Sequence, residues 1–160
     1  MPTPSVGLAI MDALHAALQA ASPEGVAIIR NRIRPLERSG PAEVILYTSP
    51  GFGDNPPERV GGTEIGPEAR DRRTRAIMVE IRKRIPYDGD LSPEAATDSL
   101  YTWAVRTICG VDRLGGLIHR EPAEQSVAWD YAETDRHLYA LAAVEFELTY
   151  ETLRGDPGTP

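Results

Sequence analysis

The chain has 160 residues, of which 41% are hydrophobic and 26% are charged. A chain of this length and composition can bury a core of its own as one domain, and the composition excludes collagen-like and low-complexity classes. The formal net charge of −7 argues against a general nucleic-acid binder that acts through a basic surface.

Cysteine usage and hydropathy restrict the compartment. The single cysteine, Cys109, excludes an internal disulfide and a thiolate zinc cluster. No apolar run approaches the ~20 residues that span a bilayer, and the first residues lack the basic segment of a signal peptide. We therefore expect synthesis and retention in the cytoplasm.

The first half of the chain predicts one helix and two strands. Apolar residues at three- and four-residue steps predict a helix over residues 5–21, which Ser22-Pro23 ends. A short apolar strand is predicted over residues 26–30. A second strand, rich in β-branched and aromatic residues, is predicted over residues 43–48.

Residues 49–70 show no periodic pattern, because glycines and prolines interrupt every possible register. Loops of this length in compact domains are usually either functional or disordered. We expect the segment to be mobile in the free chain and to become ordered on a partner. Tryptic cleavage should then begin at Arg59 or Arg70.

The second half predicts a strand, a helix and two more strands. Residues 74–85 alternate between apolar and polar side chains, as a strand with one dry and one wet face does. Ser92 and Pro93 begin a helix that ends at Gly110 and buries Trp103.

The remaining elements are a helical turn over residues 112–118, a strand over residues 123–131 and the longest strand, over residues 137–152. Residues 155–160 form a flexible tail with no means of packing. The order predicts a single α+β domain over residues 1–160. Its sheet is mostly antiparallel, has four to five strands and is flanked by two main helices, with one long loop.

Patterns that carry enzyme chemistry are weak. The three histidines lack the spacing of a metal site. Metal-dependent nucleases often place Glu and Lys two residues apart on a strand, with an acidic residue on the preceding strand. Here Glu80 is followed by Arg82, the preceding strand offers Glu43 at best, and arginine keeps its proton too firmly to act as a general base. We predict no catalytic residue, no metal site and no cofactor.

Four parts of the chain, in this order, resemble the tail terminator (tail-completion) proteins of long-tailed bacteriophages and prophages. They are similar to the family's first strand and turn, its central strand, the turn after its second helix, and its C-terminus. The matching residues are Gly25-Val26-Ala27-Ile28-Ile29-Arg30 with Arg34-Pro35-Leu36, Arg75-Ala76-Ile77-Met78-Val79-Glu80-Ile81, Asp112-Arg113-Leu114-Gly115-Gly116-Leu117, and Leu148-Thr149-Tyr150-Glu151-Thr152 with Gly155-Asp156-Pro157.

The resemblance implies a structural virion protein rather than an enzyme, made in the host cytoplasm and located at the tail–neck junction. Family members form a hexameric ring that caps the finished tail tube, stops its elongation and presents the surface for head attachment. The implied partners are further copies of the chain, the major tail tube protein, a head–tail connector or neck protein, and double-stranded DNA that passes without sequence-specific binding. No membrane is implied. The alternatives are another neck or head-completion ring protein and, from a different class, a metal-dependent nuclease.

Two sets of charged residues are candidates for such a ring. Glu145, Glu147 and Glu151 share one face of the last strand, and an acidic channel would leave a DNA duplex free to slide. We therefore predict that this stripe faces the channel; a solvated outer face is the alternative. The candidate contacts with a neighbouring subunit or with the tube are Arg59, Arg70, Arg82 and Arg84.

Overall fold

The computed structural model describes residues 4–30, 35–49, 58–62, 66 and 68–160. Within these residues the chain forms two α-helices and a mixed six-stranded sheet, which confirms the predicted α+β class. The helices are α1 (Val6–Ala20) and α2 (Pro93–Cys109). The strands are β1 (Ala27–Arg30), β2 (Ala42–Thr48), β3 (Glu58–Gly61), β4 (Arg70–Ile85), β5 (Ala123–Glu133) and β6 (Leu138–Leu153).

Both helices begin at a serine cap. The Ser5 hydroxyl accepts a hydrogen bond from the Leu8 N–H, and the Ser92 hydroxyl accepts one from the Ala95 N–H. Each bond satisfies a backbone donor that has no partner inside the helix. Neither helix in the described ranges is long and apolar enough to cross a bilayer.

The sheet is built around the pairing of β4 with β6. These two strands run antiparallel over their whole length, from Arg70 opposite Leu153 to Ile85 opposite Leu138. Sixteen residues at ~3.3 Å each make a ladder about 50 Å long. β2 and β3 share the other edge of β4, β1 lies outside β2, and β5 lies outside β6.

The sheet is mostly antiparallel, as predicted, and one pair of strands is parallel. β1 runs parallel to β2, with Ala27 opposite Glu43 and Arg30 opposite Leu46. A parallel pair needs a crossover of about a dozen residues, and residues 31–41 have nearly that length. The sheet is therefore mixed.

The core lies on one face of the sheet, where both helices pack. Its main buried cluster takes its members from α1, α2, β2, β4 and β6, together with Ile118. They include Ile10, Leu14, Leu18, Leu46, Ile77, Val79, Leu100, Ala104, Ile108, Val144 and Phe146. The opposite face, called the open face below, carries the alternate side chains of the same strands, and neither α1 nor α2 packs on it. Along β6 the even-numbered residues from Ala140 to Thr152 are buried, and the odd-numbered residues from Leu141 to Leu153 are more exposed.

The prediction of an unstructured segment over residues 49–70 is wrong where the structure describes it. Residues 58–61 form β3 on the edge of β4, and Arg70 is the first residue of β4. Cleavage starting at Arg59 or Arg70 therefore no longer follows, since paired strands resist proteases. Residues 50–57, 63–65 and 67 of that segment lie outside the described residues, as does Arg34.

The prediction of an unpacked C-terminal tail is also wrong. The Pro157 carbonyl accepts a hydrogen bond from the Val6 N–H at 2.8 Å, and the Thr159 carbonyl accepts one from Leu153 at 2.9 Å. The Asp156 carboxylate accepts further bonds from the Gly158 N–H and the Thr159 hydroxyl. The tail thus supplies a partner for a donor at the start of α1 that the helix itself cannot satisfy.

Trp103 was predicted to be buried in the core, but it is only half-buried. Its indole N–H donates to the Ala21 carbonyl at 2.8 Å, at the end of α1. The indole therefore connects the two helices at their edge, where its polar nitrogen has a partner.

Deletion of residues 155–160 should lower the free energy of unfolding by about 1–2 kcal/mol, because two backbone donors lose their protein acceptors. Chemical denaturation of the full chain and the truncated chain measures the difference. Removal of Pro160 alone is the control, since both bonds remain. Equal stability of the six-residue deletion would contradict the tail's role at α1.

Candidate functional site

The end of the sheet where β4 begins and β6 ends carries two charged clusters, one on each face. Side chains of successive strand residues point to opposite faces. Glu58 of β3 therefore lies on the helix side, together with Arg73 and Arg75, while Arg59 joins Arg72 on the open face.

The cluster on the helix side, called the Glu58 cluster, consists of Glu58, Arg73, Arg75 and Tyr150. Arg73 Nη1 donates to Glu58 Oε1 at 2.7 Å, and Arg75 donates to Oε2 from both Nε and Nη2. The Tyr150 hydroxyl donates to the same oxygen at 2.8 Å. One carboxylate thus joins β3 to β4 and β6 through three side chains.

Partial burial makes these contacts matter to the charge state of the cluster. Burial alone would raise the pKa of Glu58, but the hydrogen bonds from Tyr150, Arg75 and Arg73 outweigh it and hold the pKa below its ordinary value. Burial and then the bond to Glu58 raise the pKa of Tyr150 to about 12. Glu58 is therefore ionised and Tyr150 is neutral at pH 7.

Gly7 of α1 allows the Arg75 guanidinium to lie against the helix. A Cβ atom at position 7 would come within 2.7 Å of three guanidinium atoms of Arg75. Any other residue would have to displace a side chain that Glu58 already holds. The Glu58 cluster therefore also fixes the first turn of α1.

The open-face cluster, called the arginine groove, is a cavity of about 480 Å³. Its walls include Arg59 and Val60 of β3, Arg70 and Arg72 of β4, and Glu151 of β6. The side chains of Arg59 and Arg72 are 55% and 66% exposed. Three guanidinium groups face one carboxylate here, so the lining is positive in a chain whose net charge is −7.

Gly62 closes one side of the groove where the backbone approaches β4. A Cβ atom at this position would lie 2.8 Å from the Arg70 carbonyl oxygen and 3.0 Å from Arg154 Nη2. Only glycine allows this approach without displacing the β4 backbone. The residue after β3 therefore helps to set the width of the groove.

The four arginines predicted as contacts separate into two pairs. Arg59 and Arg70 line the same groove, together with Arg72. Arg82 and Arg84 lie near the far end of β4, about 40 Å away along the strand.

That second pair is engaged within its own chain. Arg82 is 12% exposed, pairs with Glu80 at 2.5 Å and donates to the Ser39 hydroxyl at 3.0 Å. Arg84 lies over the Tyr139 ring, 5.9 Å from its centroid. We therefore leave Arg82 and Arg84 out of the candidate surface.

The three glutamates of the predicted channel stripe do share the open face, but as a mixed-charge surface. Glu147 pairs with Arg59 at 2.8 Å. Glu151 contacts Arg72 at 3.5 Å and His119 Nε2 at 3.2 Å. Glu145 accepts a hydrogen bond from the Ser49 hydroxyl at 3.5 Å. A channel-facing position depends on further copies of the chain and stays a prediction.

The residues of the nuclease alternative also meet on the open face. Glu43 lies opposite Arg82, and Glu80 pairs with the same arginine. Glu43 is 1% exposed and accepts a bond from the Gly40 N–H at 2.7 Å. In the described part of the chain, no group of three or more His, Cys, Asp and Glu side chains is arranged to hold a metal.

Several residues of this site were not singled out in the sequence. The predicted strand began at residue 74, so Arg72 and Arg73 were not assigned to alternating faces. Extending the alternation of β4 back to Arg70 would have placed Arg70 and Arg72 together. No pattern in the nearby sequence indicates the role of Glu58, because its partner Tyr150 is 92 residues away along the chain.

A scan against protein-family models and a search of curated proteins found no match to this chain.

Glu58→Gln should lower the free energy of unfolding at pH 7 by about 1–3 kcal/mol, because two arginines lose a charged acceptor. A carboxyl whose pKa is depressed on folding stabilises the protein above its unfolded pKa of about 4.3, and this contribution disappears as pH falls through the lower folded value. The difference between the two proteins should therefore shrink below about pH 4.

Urea unfolding at several pH values measures this difference. Glu121→Gln, at an exposed position, is the matched control and should leave stability unchanged at every pH. A Glu58→Gln variant with wild-type stability at pH 7 would mean that the ion cluster does not hold β3.

Proposed function

We propose that this chain is a structural virion protein that forms a ring, a hexamer, on the tail tube of a long-tailed phage or prophage. The ring stops elongation of the tube and provides the surface for head attachment. The chain acts at the tail–neck junction and passes double-stranded DNA without reading its sequence. The sequence resemblance to tail terminator proteins suggests this role.

The observation that carries the proposal is the arginine groove, on the sheet face opposite α1 and α2. Exposed arginines on a firmly held strand suit recognition of carboxylates on another protein, because each guanidinium can form two parallel hydrogen bonds. Arginine is also enriched in protein interfaces. The Glu58 cluster beneath the groove holds β3 in place, so the groove is formed before a partner arrives.

The role of a terminator requires surfaces rather than a reaction. A ring protein must contact its own copies and the last layer of the tube, and both contacts need defined exposed side chains on a rigid support. The long β4–β6 ladder is such a support, because every residue of both strands is paired.

The decisive experiment is a tube-length assay. The major tail tube protein of the same virus or prophage is allowed to polymerise with and without this chain, and tube lengths are measured by electron microscopy. Added wild-type chain should give shorter tubes that carry a ring at one end. Unchanged lengths, with no chain bound at the tube ends, would refute the proposal.

Substitutions connect this activity to the groove. Arg70→Ala and Arg72→Ala, made singly, should each weaken tube capping by roughly tenfold, as truncation of an interface arginine does. Arg106→Ala removes an exposed arginine of α2, away from the groove, and should cap like wild type. Equal loss in all three variants would show that general charge, and not the groove, drives binding.

The same tube-length assay distinguishes a tail terminator from the closest alternative function. A neck or head-completion ring protein would leave tube length unchanged and bind the connector instead. Incubation of DNA with the chain and magnesium or manganese tests the nuclease alternative, for which cleavage that is lost in Glu80→Gln would be required.

A further inference from the structure

A second exposed surface lies at the other end of the sheet from the arginine groove. Tyr87, Leu91 and Tyr131 are 56%, 49% and 46% exposed and lie around the corner where β4 leads into α2 and β5 into β6. The Tyr131 hydroxyl donates to the Leu91 carbonyl at 2.7 Å, and the Tyr87 hydroxyl donates to the Thr134 carbonyl at 3.1 Å. We call these three residues the aromatic patch.

The aromatic patch has an acidic border. Four exposed carboxylates surround it and outnumber the exposed arginine of that corner, Arg136. They belong to Asp88, Asp90, Glu133 and Asp135. None of the four carboxylates has an ion-pair partner within the described part of the chain. Desolvation, and then the nearby charge of Glu133, raises the pKa of Tyr87.

The chemistry of the patch specifies its partner. Arginine stacks on tyrosine rings and pairs with carboxylates, so a partner that presents several arginines together would satisfy both features. The arginine groove has this composition, since Arg59, Arg70 and Arg72 line it together.

Within one chain the two surfaces cannot meet. Arg70 begins β4 and Tyr87 follows its end, so a rigid ladder of about 50 Å separates them. Only a second copy can bring a groove to a patch. Because the two surfaces differ, the contact is head-to-tail, and contacts of this kind close into rings or extend as filaments.

We infer that the aromatic patch of one copy docks in the arginine groove of the next and that this contact builds the oligomer. The inference rests on the proposed function for the closed ring, but the contact itself is defined by this chain alone. Tyr87 and Tyr131 supply rings on which the groove arginines stack, and Asp88 and Glu133 pair with Arg70 and Arg72.

Charge reversal at each end tests the contact. Asp88→Lys with Glu133→Lys makes the patch basic, and Arg70→Glu with Arg72→Glu makes the groove acidic. Wild type should form oligomers in sedimentation velocity, and each reversed variant alone should associate about 100-fold more weakly, because like charges then face each other. Higher ionic strength should weaken the wild-type oligomer as well.

The critical test is whether oligomer formation is restored when the two charge-reversed variants are combined. A mixture of the two variants should assemble again, because the native groove of one accepts the native patch of the other and the two reversed surfaces also match. A chain with all four substitutions should assemble by itself for the same reason. Circular dichroism and thermal unfolding of each variant establish that the monomers are folded.

The outcomes separate this contact from the proposed function. Wild type that stays monomeric at millimolar concentration, or reversed variants that assemble normally, would overturn the inference, as would a mixture that fails to assemble. If the patch variant assembles normally but no longer caps tubes, the patch binds the tube protein and the inference is wrong while the function stands. If charge reversal is restored as expected but wild type does not cap tubes, the contact stands and the function is wrong.

Discussion

The antiparallel pairing of β4 with β6 is the constraint on which the other features of this protein depend. Because the strands pair along their whole length, each side chain is assigned to the helix side or to the open face by its position in the sequence. A shift of one residue would bring Glu145 and Glu147 into the core and expose Val144 and Phe146. The apolar residues of both strands fix the register, and the register then decides where every charge on β4 and β6 lies.

Placing charges on both faces at one end of the ladder has an energetic consequence. The Glu58 cluster is partly withdrawn from water, so its carboxylate and guanidinium groups are stable there only as a hydrogen-bonded set. Loss of one member would leave the others short of partners. The same set joins β3, β4, β6 and the first turn of α1, so the position of the arginine groove on the opposite face follows from interactions beneath it.

The periodic elements could be predicted from sequence, and the elements held by distant contacts could not. α1, α2, β2 and most of β4 and β6 follow from apolar spacing and from the caps at Ser5 and Ser92. β3 has only four residues between segments rich in glycine and proline, and it is a strand because of partners on β4 and β6. The C-terminal tail is ordered by α1, more than a hundred residues earlier in the chain. The arginine groove is predictable only in part. Its β4 arginines follow from the regular alternation of a strand, whereas its β3 wall has no pattern in the nearby sequence that would predict it.

Contacts across the sheet also change the charge that the acidic stripe of β6 presents. Read along the sequence, Glu145, Glu147 and Glu151 form an uncompensated acidic row. In the sheet, Arg59 pairs with Glu147, and Arg72 and His119 contact Glu151. A phosphate backbone farther away than the ~8 Å screening length would sense little net charge from such a surface. The stripe is therefore not a uniformly acidic surface, and in the proposed ring it would repel a DNA duplex less than its sequence alone indicates.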